Sequence, residues 1–324
     1  MNKRTLVIGS RGSKLALWQA EWVKARLAAQ HAHLEIRIDI IKTTGDVLKS
    51  APLSVIGGRG VFTKELEEAL RDKRIDLAVH SLKDLPTRLP DELGIAAVTE
   101  REDPRDALVL RADLRSQNFT LRTLPAKSIV GTSSLRRLAQ LNHLRPDLLI
   151  KELRGNVDTR LRKLDAGNYD AIILAAAGLR RLDFTERISA VIEPKEMLPA
   201  VGQGALGIET RADDALTIEL LAALDHAQTR RACIAERALL RELGGGCQVP
   251  IAAHAVVNEN HLRIEGLVAA LSGNPLLRES LADAVTNDAQ AERAGAELAN
   301  RLLNRGAASL LDGLTMQSVN QVSL

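Results

Sequence analysis

"LVIGSRGSKLALWQ" (residues 6–19) and "SIVGTSSLRRLAQL" (residues 128–141) share one layout. Each has a short apolar run, a glycine, a hydroxyl residue and a polar turn, then apolar residues at helical spacing. A short apolar run closed by glycine reads as a strand, and the spacing that follows reads as a helix. Two such units predict two similar α/β lobes. The shared stretch is too short to establish a duplication.

The rest of the chain extends both units. In the first, residues 15–30 form a helix with Leu15, Trp18, Trp22 and Leu27 inward, and Glu35 to Ile41 alternates as a strand. Residues 63–73 form a helix capped by Thr63, with Leu66, Ala69 and Leu70 inward. Ile75 to Val79 is a strand leading into His80-Ser81-Leu82-Lys83-Asp84. In the second unit, strands at 128–130 and 148–150 alternate with helices from Ser134 and from 157 to 166. Ala171 to Leu174 is wholly apolar, as a parallel strand covered on both faces should be. A linker is expected near Arg101–Arg105, and a return crossing near 194–199. From Leu221 the pattern changes to helix-strand-strand-helix, ending in a helix at 287–304. The expected division is a first lobe of 1–103 with 199–221, a second lobe of 104–198, and a small C-terminal α+β domain of 222–324. Residues 43–60, with four glycines and no period, read equally as a mobile lid or a connector.

Several function classes are excluded. The 324 residues suffice for two or three domains, and no apolar stretch is long enough to span a membrane. The first apolar run is too short for a signal peptide, so a cytoplasmic protein is expected. A net charge of +3 and 2% aromatic residues argue against nucleic acid as a partner. Cys233 and Cys247 give no disulfide framework and no zinc spacing, so no metal is expected. "GQGALG" (202–207) fits the dinucleotide pattern but runs into a strand instead of a helix, so it reads as a backbone crossing. No P-loop is present. His80-Ser81 lacks a nucleophile elbow, and His80 reads as a satisfied structural histidine.

Ligands of open α/β sheets sit beyond the carboxyl ends of the strands. Those ends carry Arg11, then Asp84, then Thr132, Ser134, Arg136 and Arg137, then Arg154, then Arg180 and Arg181. A cationic cleft between the lobes is expected. In "GTSSLRR" the hydroxyls, helix amides and two guanidinium groups suit an anion, though a helix cap with basic surface residues fits too. Arg154 and Arg160 flank a helix start and could grip a carboxylate or phosphate. Asp84 forms a turn, or else moves a proton or stabilises a cation. Cys247, in "RELGGGCQVPI" (241–251), has three readings: a buried small residue, a redox sensor, or an attachment point approached past bulk-free glycines.

"GSRGSKLALWQ", "GGRGVFTKELEEAL", "DLAVHSLKDLPT", "EREDPRDALV", "IVGTSSLRRLAQL", "LRGNVDTRL", "DAIILAAAGLRRL", "LPAVGQGALGIE" and "GGGCQVPIAA" together resemble the porphobilinogen deaminase (hydroxymethylbilane synthase) family, over roughly residues 4 to 310. The resemblance implies two lobes like those of periplasmic binding proteins and transferrin, plus a C-terminal domain bearing the cysteine. It implies a dipyrromethane cofactor held by a thioether to Cys247. Four porphobilinogen molecules would condense onto it with loss of ammonia, and water would release hydroxymethylbilane. Arg11, Lys83, Arg136, Arg137, Arg154, Arg160 and Arg181 match the carboxylate-binding cations, and Asp84 matches the acid that assists deamination. Ser13, Ser81, Thr132 and Ser134 would add hydrogen bonds. A monomer is implied, with no metal or nucleotide. Two positions depart from the family: Arg59 stands in "GGRG" where "GGKG" is common, and Val55 replaces a frequent lysine, which puts the lid contacts in question. The rival reading is a two-lobe binding protein for an anionic solute, without chemistry.

Overall fold

A computed structural model describes residues 5–44, 63–245 and 249–311. Arg59, Val55 and Cys247 lie outside the described residues, as does nearly all of the expected lid. The chain forms two compact units, Met1–Glu102 with Ala205–Arg230, and Asp103–Gly204 with Arg231–Leu324.

The first unit contains β1 (Thr5–Ser10), α1 (Lys14–Gln30), β2 (Glu35–Ile40), α2 (Lys64–Arg71), β3 (Leu77–Ser81), β4 (Leu93–Val98), and, from the returning chain, β10 (Leu206–Arg211) and α6 (Ala215–Leu221). The sheet order is β2-β1-β3-β10-β4. β1 runs parallel to β2 and β3, and β10 runs antiparallel to β3 and β4. Successive strand residues point to opposite faces. Leu77 and Val79 therefore join the core under α1, whereas Ala78 joins the core under α2.

Helix α1 corrects one expectation. Its buried face is Ala16, Gln19, Ala20, Val23 and Leu27. Leu15, Trp18 and Trp22 are only partly buried. The small alanines let the helix backbone close on the sheet, so the bulky rings move to the flanks. Trp22 packs at the core edge with the Arg26 guanidinium 5.1 Å from its ring centre. Helix α2 buries Leu66, Ala69 and Leu70 as expected. Thr63, however, donates its hydroxyl to Glu67 Oε1 at 2.6 Å instead of capping the backbone.

The second unit repeats the scheme. It contains β5 (Asp106–Leu110), β6 (Ile129–Gly131), α3 (Leu135–Leu144), β7 (Leu149–Lys151), α4 (Val157–Asp165), β8 (Ala171–Ala175), α5 (Ala176–Arg181) and β9 (Ala190–Ile192). Its order is β7-β6-β8-β5-β9, with β6 parallel to β7 and β8, and β5 antiparallel to β8 and β9. Alternate residues of β8 enter two separate cores, so this strand is covered on both faces. Each sheet thus takes its fourth strand, antiparallel, from a segment beside a crossing between the units.

The C-terminal portion consists of α7 (Ala227–Glu242), the antiparallel strands β11 (Ile251–Asn258), β12 (His261–Ala269) and β13 (Leu276–Ala284), and α8 (Asp288–Asn304). The sequence pattern gives two strands where the structure has three, because β13 is partly exposed along its whole length and lacks an apolar alternation. Helices α7 and α8 cross in direct backbone contact. A Cβ on Gly295 would lie 2.0 Å from the Ala235 carbonyl oxygen. The fold is α/β, two sheet-based lobes with a small C-terminal α+β part.

Candidate active site

In the first unit, four of the expected residues line one pocket. Arg11 follows β1. Ser13 caps α1 by accepting a hydrogen bond from Ala16 N at 3.2 Å. Ser81 ends β3 and accepts from Gln19 Nε2 at 2.8 Å. Asp84 closes the 3-10 turn Leu82–Asp84, with its side chain exposed. Arg11, Ser13, Ser81 and Asp84 share the lining with Gln19, Thr63 and His80. Lys83, in the same turn, is half-buried and is not part of that lining. Behind the pocket, His80 Nε2 lies 3.0 Å from Glu209 Oε2, and Glu209 is fully buried. His80 therefore has the partner that the sequence reading expected of a structural histidine.

In the second unit, Arg136 and Arg137 lie on the buried face of α3, each 5% exposed. The surface-residue alternative for this stretch is thereby overturned. Both reach Asp106, which heads β5 and is 0% exposed. Arg136 Nη1 donates to Asp106 Oδ2 at 2.8 Å and to the Leu198 carbonyl at 2.7 Å. Arg137 Nη2 donates to Asp106 Oδ1 at 2.7 Å, and its Nη1 to the Ile173 carbonyl at 2.8 Å. Gln203 Nε2 adds a bond to Asp106 Oδ1 at 2.9 Å. Burial opposes the negative charge, but Arg136 and then Arg137 outweigh it, and the Asp106 carboxyl is held far below the usual carboxylate range. One carboxylate thus faces two guanidinium groups, and the cluster keeps a net positive charge.

Thr132 and Ser134 have local duties. Thr132 Oγ1 accepts from Ser134 N, and Ser134 Oγ caps α3 by accepting from Arg137 N. These bonds engage two of the amides that the sequence reading left free for an anion. Arg181 is buried and donates Nη2 to the Gly204 carbonyl at 2.7 Å. Arg154 pairs with Glu152, and Arg160 Nε donates to the Gly155 carbonyl at 2.7 Å. The strand-end rule missed Asp106, Gln203, Gln19, Thr63 and Glu209. A signal for Asp106 existed: a lone acid opens an otherwise apolar strand, and a buried acid must be paired.

Two of the glycines that the sequence reading took as bulk-free have a defined backbone task. Gly244 adopts φ +68, Gly244 N donates to the Arg241 carbonyl, and Gly245 N donates to the Leu240 carbonyl. This double closure ends α7 with a glycine in the left-handed region, where a side chain would be strained. Cys233, on the same helix, is buried.

The donor set suits a group with several carboxylates. Guanidinium forks bind carboxylates in pairs of parallel hydrogen bonds. The Arg136–Arg137 cluster has positive charge to spare, and the buried Arg136 Nε has no hydrogen-bond partner among the described residues. A polycarboxylate therefore fits these residues.

Residues 6–219 match the family model described as "Porphobilinogen deaminase, dipyromethane cofactor binding domain", and residues 230–304 match "Porphobilinogen deaminase, C-terminal domain". The porphobilinogen deaminase of Pelobacter propionicus is 49% identical over 319 residues, which is 98% of this chain and all of that protein. That of Syntrophotalea carbinolica is 52% identical over 314 residues, 97% of each. Among solved structures, the VFT2 domain of Bordetella pertussis BvgS is similar at a TM-score of 0.40 and 14% identity, covering 67% of this chain and 84% of that one.

Proposed function

The chain belongs to the porphobilinogen deaminase family, and on that premise we propose how its residues divide the work of the reaction. The enzyme is a transferase of tetrapyrrole biosynthesis. It condenses four porphobilinogen molecules head to tail, with loss of ammonia, on a dipyrromethane cofactor, and hydrolysis releases hydroxymethylbilane. The cofactor, when bound, supplies the primer for that condensation.

Cys247 carries the cofactor through a thioether. Arg11, Lys83, Arg136, Arg137, Arg154, Arg160 and Arg181 bind acetate and propionate groups. Arginine suits this task because its fork stays charged and matches a carboxylate in two contacts. The observation that carries this assignment is the buried Asp106 cluster, where two guanidinium groups share one carboxylate and leave positive charge for an anion. Asp84 is the acid. It accepts a hydrogen bond from the departing ammonium nitrogen, and it steadies the cation left on porphobilinogen. Ser13 and Ser134 cap helix starts, Thr132 holds the Ser134 amide, and Ser81 accepts from Gln19, while all four would add hydrogen bonds at the site. Arg59, which precedes α2 in the sequence, contributes charge.

The enzyme works as a cytoplasmic monomer that needs no metal and binds no nucleic acid. Among the described residues no helix is long and apolar enough to cross a membrane. The domains are residues 1–103 with 199–221, 104–198, and 222–324. A non-catalytic binding protein is disfavoured, because full-length relatives carry the deaminase name. Intact-mass measurement tests the assignment. The expected mass exceeds the sequence mass by two condensed pyrroles, and the excess maps to the peptide containing Cys247. An active protein with an unmodified Cys247 peptide would end it.

A further inference from the structure

Among the described residues His80 is paired at one ring nitrogen only, Nε2, and that leaves it able to do more than hold the fold. On β3 it shares the face of Ala78, by strand alternation. Its register partner on β10 is Gly207, which offers no side chain, and the diagonal neighbour on the same face is Glu209. Glu209 Oε2 therefore takes Nε2 at 3.0 Å, while Glu209 Oε1 is buried with no hydrogen-bond partner among the described residues. A carboxylate facing Nε2 keeps the neutral ring's proton there and leaves Nδ1 as the lone-pair nitrogen. His80 also lines the pocket that holds Asp84 and Arg11. On α2, which packs over the Ala78 face, Glu67 is engaged by the Thr63 hydroxyl.

Each condensation handles protons twice. An aminomethyl ammonium leaves as ammonia. The pyrrole carbon that makes the new carbon–carbon bond then loses its hydrogen as a proton, and the C–H electron pair returns to the ring. The ammonia and the proton together make ammonium, so the step balances. Asp84 serves the nitrogen end. We propose that His80, oriented by Glu209, is the second proton-handling residue of this pocket, and that its Nδ1 receives the proton from the pyrrole carbon. The imidazolium so formed rests against the Glu209 carboxylate and returns its proton to solvent. Glu209 is a positioning residue, acting only through His80. The proposal rests on the deaminase reading.

The test compares the full, cofactor-bearing wild type with His80→Gln and Glu209→Gln, using porphobilinogen and porphobilinogen deuterated at its free α-carbon. Loss of a general base costs roughly 10²-fold or more in kcat, and that is the fall expected in His80→Gln with KM unchanged. Glu209→Gln should fall less. In both variants proton removal becomes limiting, so deuteration should slow them more than it slows wild type. Nitrogen-15 NMR of the wild-type imidazole, which needs no turnover, should place the proton on Nε2. Wild-type kcat in the variants overturns the proposal, as does slowed turnover without added deuterium sensitivity, or a proton on Nδ1 at pH 7. Should His80→Gln fail to fold, Glu209→Gln and the NMR decide. A wild type that does not consume porphobilinogen sinks the deaminase reading itself.

Discussion

The two five-stranded sheets share strand order and direction, and each fourth strand contributes one fully buried carboxylate, Asp106 on β5 and Glu209 on β10. Their partners differ in kind. Asp106 meets two guanidinium groups, which donate hydrogen bonds and accept none. Glu209 meets one imidazole, whose charge can change during a reaction. One framework thus produces a fixed positive site in the second unit and a proton-passing site in the first. The chemistry follows from the cation opposite the buried acid, and the strand order alone does not determine it.

The sharpest way to break this contrast is to remove the exposed acid of the first unit. Asp84→Asn should bind substrate normally but lose roughly 10²–10⁴-fold in kcat, measured as porphobilinogen consumption. Near-normal turnover would take the proton chemistry away from this pocket.

In the second unit the large effect should fall on stability. Asp106→Asn leaves two buried guanidinium groups uncompensated and should cost about 3–5 kcal/mol in urea unfolding. The pH dependence sharpens the point. The folded value of Asp106 is depressed, so its contribution is present above the unfolded value near ~3.9 and is lost as pH falls below it toward the folded value. Wild type should therefore lose stability on acidification below about pH 4, and Asp106→Asn should lack that share of the loss. A variant as stable as wild type, with the same acid profile, would mean the cluster carries no structural weight.

The smallest effects should be equal in the two units. Ser13 and Ser134 cap corresponding helices through one side-chain acceptor each. Alanine at either position should cost about 1 kcal/mol of thermal stability. A much larger loss at one of them would show that its hydroxyl does more than close a helix.

Much of this was legible in the residues. The runs at 6–9, 128–130 and 171–174 are apolar and bounded by turn residues, and each proved to be a strand. The strand-end rule alone led to Arg11 and Asp84, which the structure places in one pocket. What failed did so for physical reasons. Apolar character marked the large side chains of α1 as its inner face, but backbone approach favours the small ones. β13 escaped because a weakly buried strand needs no apolar alternation. The pairing of Arg136 with Asp106 spans 30 residues and joins a helix to a neighbouring strand, so no local pattern announces it. A charged residue on a helix is read as solvated unless a buried partner is known, and that partner is a tertiary fact.

The closed end of α7 has one more consequence. Gly244 and Gly245 hold that terminus with two backbone hydrogen bonds, and the φ of +68 at Gly244 admits no larger residue without strain. The direction in which the chain leaves α7 is therefore set by one glycine, and a side chain there would redirect the exit.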